Sequence, residues 1–375
     1  MVSDESIAPP PGHGLPDGML AERLLQVIDE GRRTATYKLA LVLALMDACA
    51  EGTDDRGMAP AVLHTRTVAE HVLRLYLPQA RRYFFGGGDL ELRQITMKQS
   101  TVMAAILRLQ ILQQQHRLHN AHEVARALPD EYKRCLDEVE ATFARYPLRL
   151  LQVVGKENRP FLYDVDWGES VTLKALHREG GGLIRFRPDA GDELLRLAPL
   201  VRPLVELHWA RMVASINRIL TEEERLRGHL FGTKRVSFPK ALRGGLLELQ
   251  HHACFYCGSR ITVGSQVDHF TPWSRWPNDA IENLVLADRC NNYKSDYLAA
   301  LPHVDHWATR LTLHGHDIAS IAASCDWESE PVRSLSYTRS SYAHLPLGTP
   351  LWLSGDQFTE DPPQTVTDHL AALKR

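Results

Sequence analysis

The stretch QVDHFTPWSRWP, residues 266–277, places an Asp–His pair at the end of a short apolar run and follows it with a proline and two tryptophans. Pro272 has no amide proton to give a ladder or a helix, so a loop opens there. The loop runs to Ile281, and ENLVLA (282–287) reads as a second short strand. DRCNNYKSDYLAALPHVDHWATR (288–310) follows with helical periodicity and turns Leu298, Leu301 and Trp307 toward a core. Two strands, the loop between them and a crossing helix bring Asp268 and either Asn291 or Asn292 within reach of one cation, with His269 pointing into the same cleft.

Just upstream, Cys254-Phe-Tyr-Cys257 is closed by Gly258 and forms a tight turn that aims two sulfurs at one point. Tetrahedral zinc takes four ligands. Cys290 supplies a third, Ala287 stands where a paired cysteine would be, and His251, His252 or Asp288 could complete the set. A reduced thiol cluster that keeps the same geometry without metal is the other reading. His251 and His252 otherwise read as scaffold, and His303 and His306 as surface-facing helix positions. Trp273 and Trp276 are expected to pack against the knuckle, with base stacking as the alternative. TKRVSFPKALR (233–243) gathers Lys234, Arg235, Lys240 and Arg243, either a solvated face or a strip for the DNA backbone.

The rest of the chain frames this segment. Residues 1–17 are polar and rich in proline and glycine, which predicts a disordered arm. Residues 18–148 carry helical patterns, among them the nearly all-apolar YKLALVLALMDACAE, with Thr34 and Thr36 as candidate caps. Phe84 to Asp89 read as a loop, and Asp130 as the cap of a later helix. Residues 149–231 begin with short β-type runs and continue into a helical stretch expected to break around Pro199 and Pro203. Gly180 to Gly182 lack the Lys-Ser/Thr of a phosphate-cradling loop. Residues 232–310 form the unit around the Asp–His pair, and 311–375 a C-terminal cap. The expected class is α+β and mainly helical.

Composition bounds the remaining choices. Of 375 residues, 44% are hydrophobic and 24% charged, ample for a buried core. A formal net charge of −3 gives no global signal for nucleic acid, so any such surface must be local. No run of eighteen apolar residues suggests a membrane span. The N-terminus lacks the basic and apolar regions of a secretory signal. The six cysteines do not read as a disulfide framework, and a reducing cytoplasm is the expected compartment. Cys49, Cys135 and Cys325 read as small buried apolar residues.

In order along the chain, the CFYC knuckle, Asp-His, an Asn fourteen residues after the His, and Cys-Asn-x-x-Lys resemble the HNH endonuclease superfamily over about residues 245–310. The wording is especially similar to bacterial members that carry the same knuckle and to the HNH domain of CRISPR effector nucleases. The resemblance implies a ββα-metal fold and metal-dependent hydrolysis of DNA phosphodiester bonds, in a setting such as antiviral defence or restriction. It implies that Asp268 binds Mg²⁺ or Mn²⁺, that His269 is the general base, and that Asn283 holds the loop backbone and orients the histidine. The second metal-side ligand is Asn292 by a count of nine from Asn283, or Asn291 by the Cys-Asn-x-x-Lys signature. Lys294 and Arg275 would meet phosphate. Cys254, Cys257 and Cys290 would be the ligands of a structural Zn²⁺. DNA is the expected partner with RNA as an alternative substrate, and a second copy or a protein partner would dock through the N-terminal helical region. A non-catalytic nucleic-acid-binding protein with a degenerate module is the rival reading.

Overall fold

The computed structural model describes residues 18–29, 35–96, 101–118, 120–154, 157–158, 160–219, 223–232, 237–261 and 264–373. The expected arm at 1–17 and the candidate cap Thr34 lie outside the described residues. Helix Tyr37–Glu51 is the axis of the N-terminal half, and every residue from Leu39 to Ala50 is buried. A helix apolar on all sides needs neighbours on all sides. Thr65–Gln79, Ala190–Asn217 and Pro331–Ala343 supply them. Thr36 sits at its N-cap without capping it; its hydroxyl lies 2.7 Å from the Tyr76 hydroxyl and 3.1 Å from Gln94 Oε1.

Helix Ala190–Asn217 runs unbroken through Pro199 and Pro203, contrary to expectation. Proline removes one backbone bond and crowds the preceding turn. Here Pro203 is exposed and Pro199 half-buried. The apolar stripe Leu194, Ala198, Val201, Val205 and Trp209 passes the prolines uninterrupted, and packing holds the helix together. Phe84 to Asp89 are not a plain loop either, because Tyr83–Phe85 pairs with Gly88–Leu90 as a tight hairpin. The helix after residue 128 begins at Pro129, with Leu128 at the cap and Asp130 in its first turn.

The boundary expected at residue 148 does not separate two cores. Strand Val62–His64 pairs antiparallel with Leu183–Phe186, which pairs with Tyr163–Asp164, so the middle region completes a sheet begun in the helical one. One apolar cluster extends from Leu20 to Leu230.

In the C-terminal half, strand Gln266–His269 pairs antiparallel with Leu284–Ala287. A short 3-10 turn, Ile281–Asn283, leads into the second strand. The helix expected over 288–310 is two helices, Cys290–Lys294 and Leu301–Cys325, with Ser295 at positive φ ending the first. The second runs across residue 310 to Cys325. Trp352 donates its backbone amide to the Leu298 carbonyl and accepts from Ala300, both at 2.8 Å, and this ties hairpin Leu351–Ser354/Gln357–Thr359 to the break. Helix Pro331–Ala343 joins the halves: Leu335 and Tyr342 lie in the C-terminal core, whereas Tyr337 and Trp276 lie in the N-terminal one. No helix among the described residues is long and apolar enough to cross a membrane.

Candidate nuclease site and knuckle

Register decides where the Asp–His pair points. Directly opposed residues of an antiparallel pair share a face, and successive residues alternate faces. Asp268 opposes Val285, which is packed with Tyr256 and Phe270 in one core; His269 opposes Leu284, which is packed with Leu242 and Leu246 in another. The pair therefore straddles a ribbon two strands wide, with its side chains on opposite faces.

On one face, Tyr256 donates its hydroxyl to Asp268 Oδ2 at 2.6 Å, and Lys294 Nζ lies 3.1 Å from the same oxygen. Burial and then the Asp268 charge push the Tyr256 phenol well above its usual range, so it remains a donor. Lys294 is fully buried and also donates to the His269 carbonyl at 2.9 Å, so in this arrangement it faces the strand rather than solvent. Asp268 Oδ1 carries no hydrogen bond among the described residues. Asn291 donates its amide to Gln266 Oε1, while Asn292 is exposed with no side-chain partner among the described residues.

On the other face, His269 Nε2 lies 2.7 Å from Asp279 Oδ1. The ring is 6% exposed, between Phe238 at 6.0 Å and Trp273 at 5.5 Å. Asp279 comes from the loop that leaves the strand, and that loop is pinned throughout. Asn283 accepts from the Thr271 amide at 2.8 Å and donates to the Thr271 and Asn278 carbonyls at 3.1 and 3.0 Å. Trp327 Nε1 donates to the Asp279 carbonyl at 2.7 Å. The buried Glu282 carboxylate accepts from Ser329 Oγ at 2.6 Å and the Glu330 amide at 3.0 Å. Sequence reading missed Tyr256, Asp279 and Glu282. Their only signal was adjacency, inside CFYC and just ahead of Asn283.

The knuckle brings Cys254, Cys257, Asp288 and Cys290 together, their ligand atoms all within 4.8 Å of one another. Of the candidates for the fourth position it is Asp288 that joins, with Cys290 donating its amide to Asp288 Oδ1 at 2.9 Å. Gly258 takes φ +71°, which permits the close turn after Cys257. Burial raises the Cys254 thiol, whereas Cys257, against its own burial, is held low by Ser259 and the facing thiols. Asp288 is likewise held low by the Cys290 amide and the thiols in spite of burial. Three sulfurs and one carboxylate at this spacing fit one tetrahedral ion.

The remaining sequence candidates are dispersed. Arg275 is half-buried in the loop, and burial lowers its pKa. Lys240 is exposed at the start of helix Lys240–Leu249, and Arg243 on that helix donates to the Ser265 carbonyl. Lys234 and Arg235 lie outside the described residues. Trp276 stacks on Tyr337 at 5.0 Å and Trp273 covers His269, so neither packs on the knuckle. His303 is not a surface position, whereas His306 is exposed. His303 stacks on Trp352 and donates from Nε2 to the Leu353 carbonyl, 2.7 Å away, and His306 stacks on Phe255 at 4.4 Å.

The strand–loop–strand segment with its knuckle lies within residues 254–300, which match the HNH endonuclease family. A second family, described as a domain of unknown function (DUF8808), matches residues 18–229, more than half of the chain, and the chain belongs to it. No curated protein and no solved structure matches the chain.

Proposed function

We propose that the protein is a metal-dependent endonuclease that hydrolyses DNA phosphodiester bonds at the end of the 266–269 strand. The observation that carries this reading is the 2.7 Å contact between His269 Nε2 and Asp279 inside the segment that matches the HNH family. With its Nε2 proton directed at the carboxylate, the imidazole keeps Nδ1 as the basic nitrogen, suited to take a proton from an attacking water. Asn283 fixes the loop that carries Asp279, and Asp279 fixes the ring. Asp268, through the oxygen left outside hydrogen bonds, and Asn292 or Asn291 offer the hard oxygen donors that Mg²⁺ or Mn²⁺ prefers. A divalent ion held there would withdraw charge from the phosphoryl oxygen and the departing 3′ oxygen. The ribbon is one strand thick at this edge, so a phosphate lying along it would meet Asp268 from one face and His269 from the other. The knuckle is proposed to hold a structural Zn²⁺ that fixes the turn before the strand.

The Lys294 ammonium beside Asp268 supports a second reading, a module that binds nucleic acid without cutting, because that carboxylate already has its counter-charge. Supercoiled plasmid and a matched RNA, each incubated with Mg²⁺ or Mn²⁺, separate the two. Nicking by the wild type that disappears in His269→Ala is the expected result. Binding without cleavage in both proteins would establish the second reading instead.

A further inference from the structure

A cavity of about 460 Å³ lies between the N-terminal half and the loop that follows His269. Its walls come from helix Ala190–Asn217 (Arg202, Glu206), helix Glu223–Phe231 (Arg227, Phe231) and the loop (Trp273). This volume is within the range of roughly 300–1,000 Å³ typical of small-ligand sites. Trp273 is shared: it forms a wall here and lies 5.5 Å from the His269 ring. Phe231 is held edge-on against buried Trp209 at 5.3 Å, so this second aromatic wall is rigid.

The polar groups in the cavity are built and incompletely used. Arg202 is only 6% exposed, donates to Asp47, and lies 4.9 Å above the Trp276 ring, yet its Nε has no partner. A buried guanidinium N–H left unpaired is costly. Glu206 has no hydrogen bond or ion pair among the described residues, and burial raises its carboxyl against the pull of Arg202 and Arg227. Among the described residues Arg227 reaches only Glu224, at 3.6 Å. The slot thus offers aromatic faces, guanidinium donors and a carboxyl that can accept or donate.

Flat faces with mixed donors and acceptors along one edge are the chemistry of a nucleobase. Resting on the nuclease reading above, we propose that this cavity receives one unpaired base of the substrate strand, stacked on Trp273 and read at its edge by Arg202 and Glu206. The DUF8808 region would then form part of the substrate site. Because Trp273 also covers His269, an occupied pocket would place the scissile phosphate next to the imidazole.

The test uses full-length His269→Ala protein, which can bind without cutting. It is titrated with single-stranded oligonucleotides that each carry one abasic position. One position is expected to weaken binding at least about fivefold when its base is missing. Adding Trp273→Ala or, as the milder change, Glu206→Gln should erase that difference and leave the other positions unchanged. If no position is sensitive, or the sensitivity persists in both double variants, the pocket proposal fails. Wild-type plasmid cleavage is measured alongside. Cleavage without a coupled position overturns the pocket alone, and a coupled position without cleavage overturns the nuclease reading alone. No oligonucleotide binding at all overturns both.

Discussion

With Asp279 holding the Nε2 side of His269 at 2.7 Å, the tautomer of the ring depends on one carboxylate. Asp279→Asn keeps the shape and removes the charge, allowing the amide to select the wrong tautomer. It should lower kcat for nicking about 10²- to 10⁴-fold with little change in KM, read from initial rates on plasmid. Asn283 raises a different question, because its side chain is 1% exposed and makes three hydrogen bonds to the loop backbone. Asn283→Ala strands those buried groups and should cost about 2–4 kcal/mol in a urea melt. An unchanged midpoint would show that the loop is held by other contacts. The Asp–His pair and Asn283 were conspicuous in the sequence because their spacing sits within one short contiguous run. Asp279 and Glu282 were not, since a carboxylate in a polar loop gives no sign of its partner until Trp327 and Ser329 fold onto it.

The knuckle behaves as an element in its own right, with three sulfurs and Asp288 within 4.8 Å. Purified protein should release about one zinc per chain to a chelator and melt several degrees lower afterwards. Asp288→Ala should reduce the zinc content while leaving the cysteines in place, and a zinc-free preparation with an unshifted melt would remove the ion from the account. Helix Pro331–Ala343 depends on a closer fit. Gly57 takes φ +81° against it, and an added Cβ would come within 2.8 Å of both the Arg339 carbonyl oxygen and the Ala343 Cβ. Gly57→Ala should therefore cost at least about 2 kcal/mol by denaturant titration. Periodicity made the helices legible and alternation the strands. Pro199 and Pro203 misled because local backbone preference was weighed against an apolar stripe whose partners could not yet be seen. His303 misled for the same reason, since only the fold supplies Trp352 as its stacking partner.

Across the whole molecule, the segment after helix Leu301–Cys325 carries charges into the seam between the halves. Arg333 Nη1 lies 2.7 Å from Glu330 Oε2 and 3.8 Å from Glu328 Oε1. Burial and then the Glu330 charge push the Glu328 carboxyl from 4.5 up to about 7, while Glu330, against its own burial, is held low by Arg333. The folded state thus keeps a proton that the unfolded chain gives up near pH 4.5. Stability from this group is complete below that pH and lost as pH rises through about 7. Glu328→Gln should gain about 1–3 kcal/mol relative to wild type between pH 5 and pH 8, seen in calorimetric melts at the two values. Parallel pH profiles would contradict it. The sheet inside the N-terminal half was invisible in the sequence, because strand Val62–His64 finds its partner Leu183–Phe186 more than a hundred residues on and no local pattern encodes that pairing. Trp276 and Tyr337 place their rings in the N-terminal core although they belong to the C-terminal half. A fragment beginning near residue 237 would present both aromatic surfaces to water and should self-associate. Grafting this C-terminal half onto another scaffold therefore means transplanting the aromatic socket along with it.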